Sequence, residues 1–439
     1  MLSGWGRYPA VPCMVMKGRS EAEIMRVLAS TKSMIARGAG RSYGDAALNA
    51  QMTLLMESSD RILFFDDVAG RLTCEAGLLL ADILTVFVRQ GWFPPVTPGT
   101  QYVTVGGMIA SDVHGKNHHG AGSFGDHVES FDLAISDGQT LRCSPDENAD
   151  LFNATIGGMG LTGVILRATF RMLRIETDLI VQDTIRAENL KEAFEALENS
   201  LSATYSVAWI DSLAKGDRLG RSVVFTGEHL PAADLPKDRS STPFGAEQRT
   251  GRKVPFDFPG ITLNRLSVSA FNAIYFQSRK PGRALVDYQP YFYPLDSLSE
   301  WNRIYGRSGF VQYQVAFPRD GSHEAISLIL QTVSEYGLGS FLSVLKLCGR
   351  QRNSPLSFPR EGYTLALDFP IKAQTFSMLL ELDRIVDDHA GRIYLAKDAR
   401  MGARMMERGY PRISEFASLR QRVDPDRKMR SLLSDRLGI

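Results

Sequence analysis

The sequence predicts an α+β protein in two parts, on three observations. Glycine-rich loops crowd the first third of the chain, β-rich alternation dominates from about residue 175, and amphipathic helical stretches are interleaved with both. With 439 residues, 44% of them hydrophobic, the chain can bury a sizeable core, and disordered or fibrous classes are excluded. Fifty Lys and Arg against 49 Asp and Glu leave a net charge of +1, without the basic excess that a dedicated nucleic-acid binder uses against phosphates. Nucleic acid is therefore not an expected partner. Cys13, Cys74, Cys143 and Cys348 are widely separated and suggest neither a zinc cage nor a disulfide framework.

The N-terminal segment MLSGWGRYPAVPCMVMKG places Arg7, two prolines and Lys17 where a secretory signal needs an apolar core. No apolar stretch approaches the roughly 18 residues of a membrane span. The expected location is cytoplasmic or peripheral to a membrane, with no signal peptide or transmembrane helix.

In chain order, SEAEIMRVLAS (20–30) sets Ile24, Val27 and Leu28 on one helical face behind a Ser20/Glu23 capping box. SMIAR then feeds the loop RGAGRSYGD (37–45), and LLLADILTVFVRQ (78–90) predicts a second helix stopped by Gly91. Glycine clusters follow in TPGT (97–100), TVGGMIASD (104–112), HGKNHHGAGSFGD (114–126) and TIGGMGLTG (155–163). RGAGRSYGD is not the G-x-G-x-x-G fingerprint, and TIGGMGLTG offers only a loose glycine cluster, so a nicotinamide-type Rossmann reading is weak. A single such loop is explained by a tight turn. Several within about 130 residues fit converging backbone N–H groups around a diphosphate, and a large dinucleotide is the simplest ligand.

Strands are expected at SVAWID (206–211), FVQYQVAF (310–317), SFLSVLKL (340–347) and YTLALDFPI (363–371), and helices at 189–201 and 375–389. Residues 239–260 read as a mobile surface loop. The segment 263–283 mixes apolar residues with Arg265, Arg279, Lys280 and Arg283 and reads as a surface that meets lipid.

RGAGRSYGD, EAG (75–77) and PGTQYVTVGGMIASDVHGKNHHGAGSFGDHV together resemble the FAD-binding domain of vanillyl-alcohol-oxidase-type flavoproteins. Within that superfamily HGKNHH, EWNRIYG (300–306), VQYQ (311–314), LDFPIK (367–372) and YLAKDAR (394–400) resemble the family of flavin subunits of decaprenylphosphoryl-β-D-ribose 2'-epimerases, over nearly the whole chain. The resemblance implies a two-domain, PCMH-type FAD fold. Residues 1–175 and 392–439 would build the FAD domain, and 176–391 an antiparallel-sheet substrate domain. It implies oxidation of the 2'-hydroxyl of a polyprenyl-phosphoryl ribose to the keto sugar. A separate short-chain reductase would complete epimerisation to arabinose, and a quinone or other acceptor would take the electrons. Non-covalent FAD is expected, as is peripheral contact with a membrane.

Hydride transfer from a secondary alcohol to a flavin needs a positioned carbinol carbon, a proton acceptor and stabilisation of the reduced ring. His114, His118, His119 and His127 share one 14-residue window, but no carboxylate or thiolate completes a metal site, so no metal is expected. By resemblance, Lys397 and His114 are the catalytic candidates, and Lys116, Gln312, Gln314, Lys346 and Lys397 would meet the substrate. Gln312 and Gln314 share one strand face by alternation.

The resemblance assigns FAD contacts to Arg37, Gly38, Ala39, Gly40, Arg41, Ser42, Tyr43 and Gly44. It adds Gly99, Thr100, Thr104, Val105, Gly106, Gly107, Ala110, Ser111 and Val113, then His114, Asn117, His118, Ile165 and Tyr394. Trp209 reads either as core or as an aromatic wall for a sugar or lipid. Ala366, Phe292 and Cys348 stand where the best-known members carry cysteine, tyrosine and phenylalanine, which alters pocket shape and thiol reactivity. Two other readings are an oxidase of free aldonolactones or polyols and a non-enzymatic FAD-binding module.

Overall fold

The computed structural model describes residues 1–239, 241–245 and 251–439. Residues 240 and 246–250 of the expected loop at 239–260 lie outside the described residues. The rest of that segment is partly structured. Arg252–Lys253 pairs in parallel with Leu298–Ser299, Val254 is buried, and the Phe258 amide donates to the Arg303 carbonyl at 2.9 Å.

The first part of the chain builds two sheets. Met14–Lys17 and Ile35–Arg37 flank Met52–Leu55 in a parallel trio, and the helix between them, Glu21–Ser30, buries Ile24, Val27 and Leu28 as its period demands. Ser20 caps it by accepting from the Glu23 amide, and the Glu23 carboxylate accepts from the Arg19 amide. The second sheet is antiparallel, in the order Thr140–Cys143, Val128–Ala134, Val164–Arg171, Arg71–Glu75, Ile62–Asp66. The helix Leu80–Phe87 ends through a short 3-10 turn at Gly91, whose φ of 79° only glycine adopts without strain.

An eight-stranded antiparallel sheet follows: Gly282–Asp287, Leu179–Ala187, Ser222–His229, Tyr205–Ile210, Ser343–Cys348, Gly362–Pro370, Phe310–Pro318 and Arg392–Ile393. Its register explains the site. Trp209 lies opposite Val344, Val344 opposite Ala366, Ala366 opposite Gln314, Lys346 opposite Thr364, and Asp368 opposite Gln312, so all of these share one face. The other face carries Leu345, Leu365, Val315, Tyr313 and Phe317, all buried in one core with residues of the helices Ser322–Tyr336 and Thr375–Asp388. Each such side chain contributes about 1.5–3 kcal/mol by leaving water. The apolar set fixes the register, and the register aims the polar set at the opposite face.

The strand expected at 340–347 begins only at Ser343, because the Ser340 hydroxyl bonds the Leu342 backbone at both its amide and its carbonyl and turns the chain there. The segment 263–283 resolves into the helix Arg265–Ser278, capped by Asn264, and the first residues of Gly282–Asp287. Beyond Arg392–Ile393 the chain returns to the first part. Met34 bridges Met429, the Asn49 side chain donates to the Arg430 carbonyl, and Ser136 donates to the Val423 carbonyl. No helix among the described residues is long and apolar enough to cross a membrane.

Candidate active site

The two parts enclose a cavity of about 1190 Å3. Its walls include the 38–43 loop, the 97–116 glycine segments, the polar face of the large sheet, the helix Arg265–Ser278, the 290–304 segment and the turn after Arg392–Ile393. Backbone bonds tie the turn in place. The Tyr394 amide donates to the Gln314 carbonyl at 2.9 Å, Lys397 to the Tyr394 carbonyl at 2.9 Å, and Tyr43 to the Ala396 carbonyl at 3.0 Å. Lys397 is thereby held with its ammonium 3.9 Å from the centre of the Tyr43 ring.

Lys397, Lys346 and Lys116 are half-buried and open onto the cavity. Desolvation lowers all three, Lys397 and Lys116 to about 7. Lys346 lowers the other two further by like charge. Lys116 donates to the Tyr291 carbonyl and sits 4.2 Å from the Tyr291 ring and 5.7 Å from Phe292.

His114 is buried and held neutral, its pKa pushed well below the usual value by desolvation and then by Lys346. Gln314 donates to its Nε2 at 3.0 Å, which leaves the ring proton on Nδ1, a buried atom with no protein partner among the described residues. Gln312 donates to Asp368 Oδ1 at 2.6 Å. Asp368 is wholly buried, and desolvation raises its carboxyl to about 7.

A buried cation depressed below its unfolded value destabilises the native state most at low pH. For Lys116, with a native value of about 7 against the ordinary 10.5, the unfolded chain binds the extra proton between those values, so this group's contribution to stability rises with pH across that window. Lys116→Met is therefore expected to stabilise the protein at pH 6. The gain should shrink through neutrality and vanish above roughly pH 10, as read by denaturant midpoints across pH.

Of the residues expected to hold FAD, Gly38, Ala39, Gly40, Arg41, Ser42, Tyr43, Gly99, Thr100, Thr104, Gly106, Gly107, Ala110, Ser111, Val113, His114, Ile165 and Tyr394 line the cavity. Five take other places. Arg37 donates to the Ser3 and Ala47 carbonyls, Gly44 packs on the Asp398 backbone, and Val105 lies in the core. The Asn117 amide donates to the Pro95 carbonyl, and His118 Nδ1 accepts from the Gly349 amide. Lys116, Gln312, Gln314, Lys346 and Lys397 all reach the cavity.

Trp209 does both things the sequence left open. It lines the cavity while packing on Tyr275 and donating to the Phe341 carbonyl at 3.1 Å. Ala366 and Phe292 also line the cavity, whereas Cys348 is buried away from its walls, its thiol pushed up to about 11 by desolvation.

Sequence reasoning did not single out Trp5, Asp296 or Asp368. Trp5 lines the cavity 4.3 Å from the Arg41 guanidinium carbon, and Asp296 accepts from the Gln101 amide at 2.8 Å. Asp368 carried a signal: it is the one charged residue in YTLALDFPI.

The cavity suits FAD. It exceeds the roughly 300–1000 Å3 of an ordinary small-molecule site, as a dinucleotide plus an organic substrate requires. The wall at Gly99 has nothing within 4 Å of where a side chain would begin, so the backbone itself faces the space, and His114, another lining residue, keeps a buried Nδ1 with no protein partner among the described residues. An α+β fold with such a cavity, lined by amines and a neutral imidazole, has the room and the groups that an FAD-dependent oxidoreductase requires.

The family described as FAD binding domain matches residues 12–144. Decaprenylphosphoryl-beta-D-ribose oxidase of Mycolicibacterium smegmatis is 37% identical over 448 residues, covering 100% of this chain and 97% of that protein. An uncharacterized protein of Streptomyces coelicolor is 34% identical over 80% of this chain and 96% of its own. L-gulonolactone oxidase of Bos taurus is 31% identical over 45% of each chain. The chain belongs to the decaprenylphosphoryl-β-D-ribose oxidase family.

Proposed function

We propose that the protein oxidises the 2'-hydroxyl of a polyprenyl-phosphoryl-β-D-ribose to the 2'-keto sugar. The observation that carries this is the polar sheet face, which presents Lys346, Gln312 and Gln314 to one cavity shared with Lys116, His114 and Lys397. FAD, when bound, supplies the hydride acceptor. It would be held without a covalent bond by the 38–43 loop, the 99–107 segment and Tyr394.

The chain's own groups do the rest. Lys397 Nζ, which loses its proton near neutral pH, accepts the hydroxyl proton in its free-amine form. Lys116 and Lys346 neutralise the phosphodiester, and the two glutamines orient the sugar hydroxyls. Full-length likeness to the mycobacterial oxidase supports this substrate over a free lactone, since the lactone oxidase matches less than half the chain.

The same reading divides the chain into an FAD domain, 1–175 with 392–439, and a substrate domain, 176–391. The segregation of the sheets supports it except at Arg392–Ile393, which pairs with Phe310–Pro318 in the large sheet. The keto product would pass to a short-chain reductase, and the electrons to a quinone or another acceptor.

The test is anaerobic mixing of yellow protein with polyprenyl-phosphoryl ribose. Loss of the oxidised-flavin absorbance is expected, and faster bleaching by a free aldonolactone would overturn the substrate assignment.

The lipid would reach the cavity past the helix Arg265–Ser278. Its inner side lines the cavity with Val268, Phe271 and Tyr275, while Leu266 and Ile274 are 82% and 68% exposed, beside Ile261 at 83%. Phe276 belongs to the other side. It is 2% exposed, with the Arg186 and Arg221 guanidinium carbons 4.2 and 4.9 Å from its ring centre. Replacing Ile261, Leu266 and Ile274 by serine is expected to weaken sedimentation with lipid vesicles without altering thermal stability. Unchanged sedimentation would remove this surface.

A further inference from the structure

Asp368 does not itself line the cavity, yet it is built into the site. It is wholly buried in the strand Gly362–Pro370, in register with Gln312 on the neighbouring strand, whose amide donates to its Oδ1 at 2.6 Å. The Tyr305 hydroxyl lies beside the carboxylate as a second, neutral donor, outside ordinary hydrogen-bond geometry to Oδ2. A buried carboxylate left with neutral donors alone is costly unless a cation lies in its field.

Three lysines line the cavity, alongside Arg41 and Arg279, and Asp368 acts on Lys397, which it pulls toward the charged form. The other groups facing Lys397 do not supply that countercharge. Lys346, on Ser343–Cys348, repels it. His114 is neutral, and Tyr43 presents a ring, with its hydroxyl held protonated by burial. Tyr305, beside Asp368, is likewise held protonated by burial. On Lys397's own turn, Asp398 pairs with Arg436 at 2.9 Å and Arg400 with Asp383 at 2.5 Å. Asp296 and Arg41, from the far wall, bear on Tyr43.

We propose that Asp368 is a positioning residue of this site: clamped by Gln312, its carboxylate governs whether Lys397 holds its proton. This deepens the functional reading above and rests on it only for the role given to Lys397. Asp368 contacts neither sugar nor cofactor and works through the amine, raising its proton affinity against the opposing effects of burial and Lys346. Charge and clamp can be separated, because Asp368→Asn keeps an oxygen for the Gln312 amide and removes only the charge.

The experiment is competitive acylation of FAD-loaded protein with acetic anhydride from about pH 5 to 10, bracketing the lowered amine, with the label on the Lys397 peptide followed by mass spectrometry. In Asp368→Asn the labelling midpoint is expected about one pH unit or more below the wild type, the size of effect a nearby opposite charge produces. Asp368→Glu, which restores the charge, should move it back. Coincident midpoints in wild type and Asp368→Asn would overturn the proposal.

If Asp368→Asn does not accumulate as folded protein, Lys397→Met carries the test by isotope-edited infrared titration of aspartate carboxyls. Asp368 should then keep its proton to higher pH than in the wild type, and an unchanged titration would overturn the proposal equally. None of these readouts requires turnover. A protein that shows the shift but leaves polyprenyl-phosphoryl ribose unoxidised would sink the substrate assignment and leave the role of Asp368 standing.

Discussion

Lys397→Ala is expected to yield a yellow, FAD-loaded protein that polyprenyl-phosphoryl ribose no longer bleaches, with kcat/KM down about 10²–10⁴-fold, the range lost with a positioned proton acceptor. The retained colour follows from geometry. The lysine is held by backbone bonds at Tyr394, Ala396 and Gln314 that its side chain does not make, so truncation leaves the turn and the cavity intact. The lost activity follows from chemistry. His114 is kept neutral with its proton on Nδ1, and Lys116 is already engaged with the Tyr291 carbonyl, so neither stands in readily. Stopped-flow absorbance of the variant against wild type reads both parts at once. Unimpaired bleaching would remove Lys397 from the mechanism.

The second large effect is expected from a residue that makes no side-chain contact. In Gly44→Ala the new methyl carbon would start 1.8 Å from the Asp398 carbonyl oxygen and 2.8 Å from the Ala399 Cα, both backbone atoms. Neither can swing aside as a flexible side chain could. The 38–45 loop and the Lys397 turn must separate, breaking the Tyr43 to Ala396 bond and moving the ring against which the Lys397 ammonium sits. A loss of about 3 kcal/mol or more in denaturant unfolding is expected, at the upper end for overpacking because the backbone itself must shift, together with release of FAD on gel filtration. Gly99→Ala is the control, since nothing lies within 4 Å of its added methyl group, and its unfolding midpoint should stay near the wild type. Equal midpoints for both variants would refute the packing argument.

Residue types and spacing carried a good deal. The helix at Glu21–Ser30 was legible because its apolar residues recur at helical period behind a serine cap, and the strand Phe310–Pro318 because Gln312 and Gln314 alternate with apolar residues. Both patterns are local. The expected strand at 340–347 started three residues late because a single serine hydroxyl captured the backbone, a choice that composition does not record. Phe276 sits beneath two arginines distant in sequence, Arg186 on Leu179–Ala187 and Arg221 just before Ser222–His229, and only their positions make it core and not surface.

The motifs also named most of the cavity wall, because loops that must let a dinucleotide approach are rich in glycine wherever they fall in space. They could not separate a glycine that faces the cavity, Gly99, from one that exists so that two backbones can touch, Gly44. Nor could they place Trp5, from the first residues of the chain, beside Arg41, or set Asp368 behind Gln312.

By itself, then, the sequence determined the periodicities, the glycine-rich loops and the identity of the amines, since these depend on neighbours along the chain. Which amine is tuned, and by which carboxylate, was decided only by the tertiary structure. Desolvation and charge coupling depend on distance through space, and the sheet register brings together residues dozens to hundreds of positions apart.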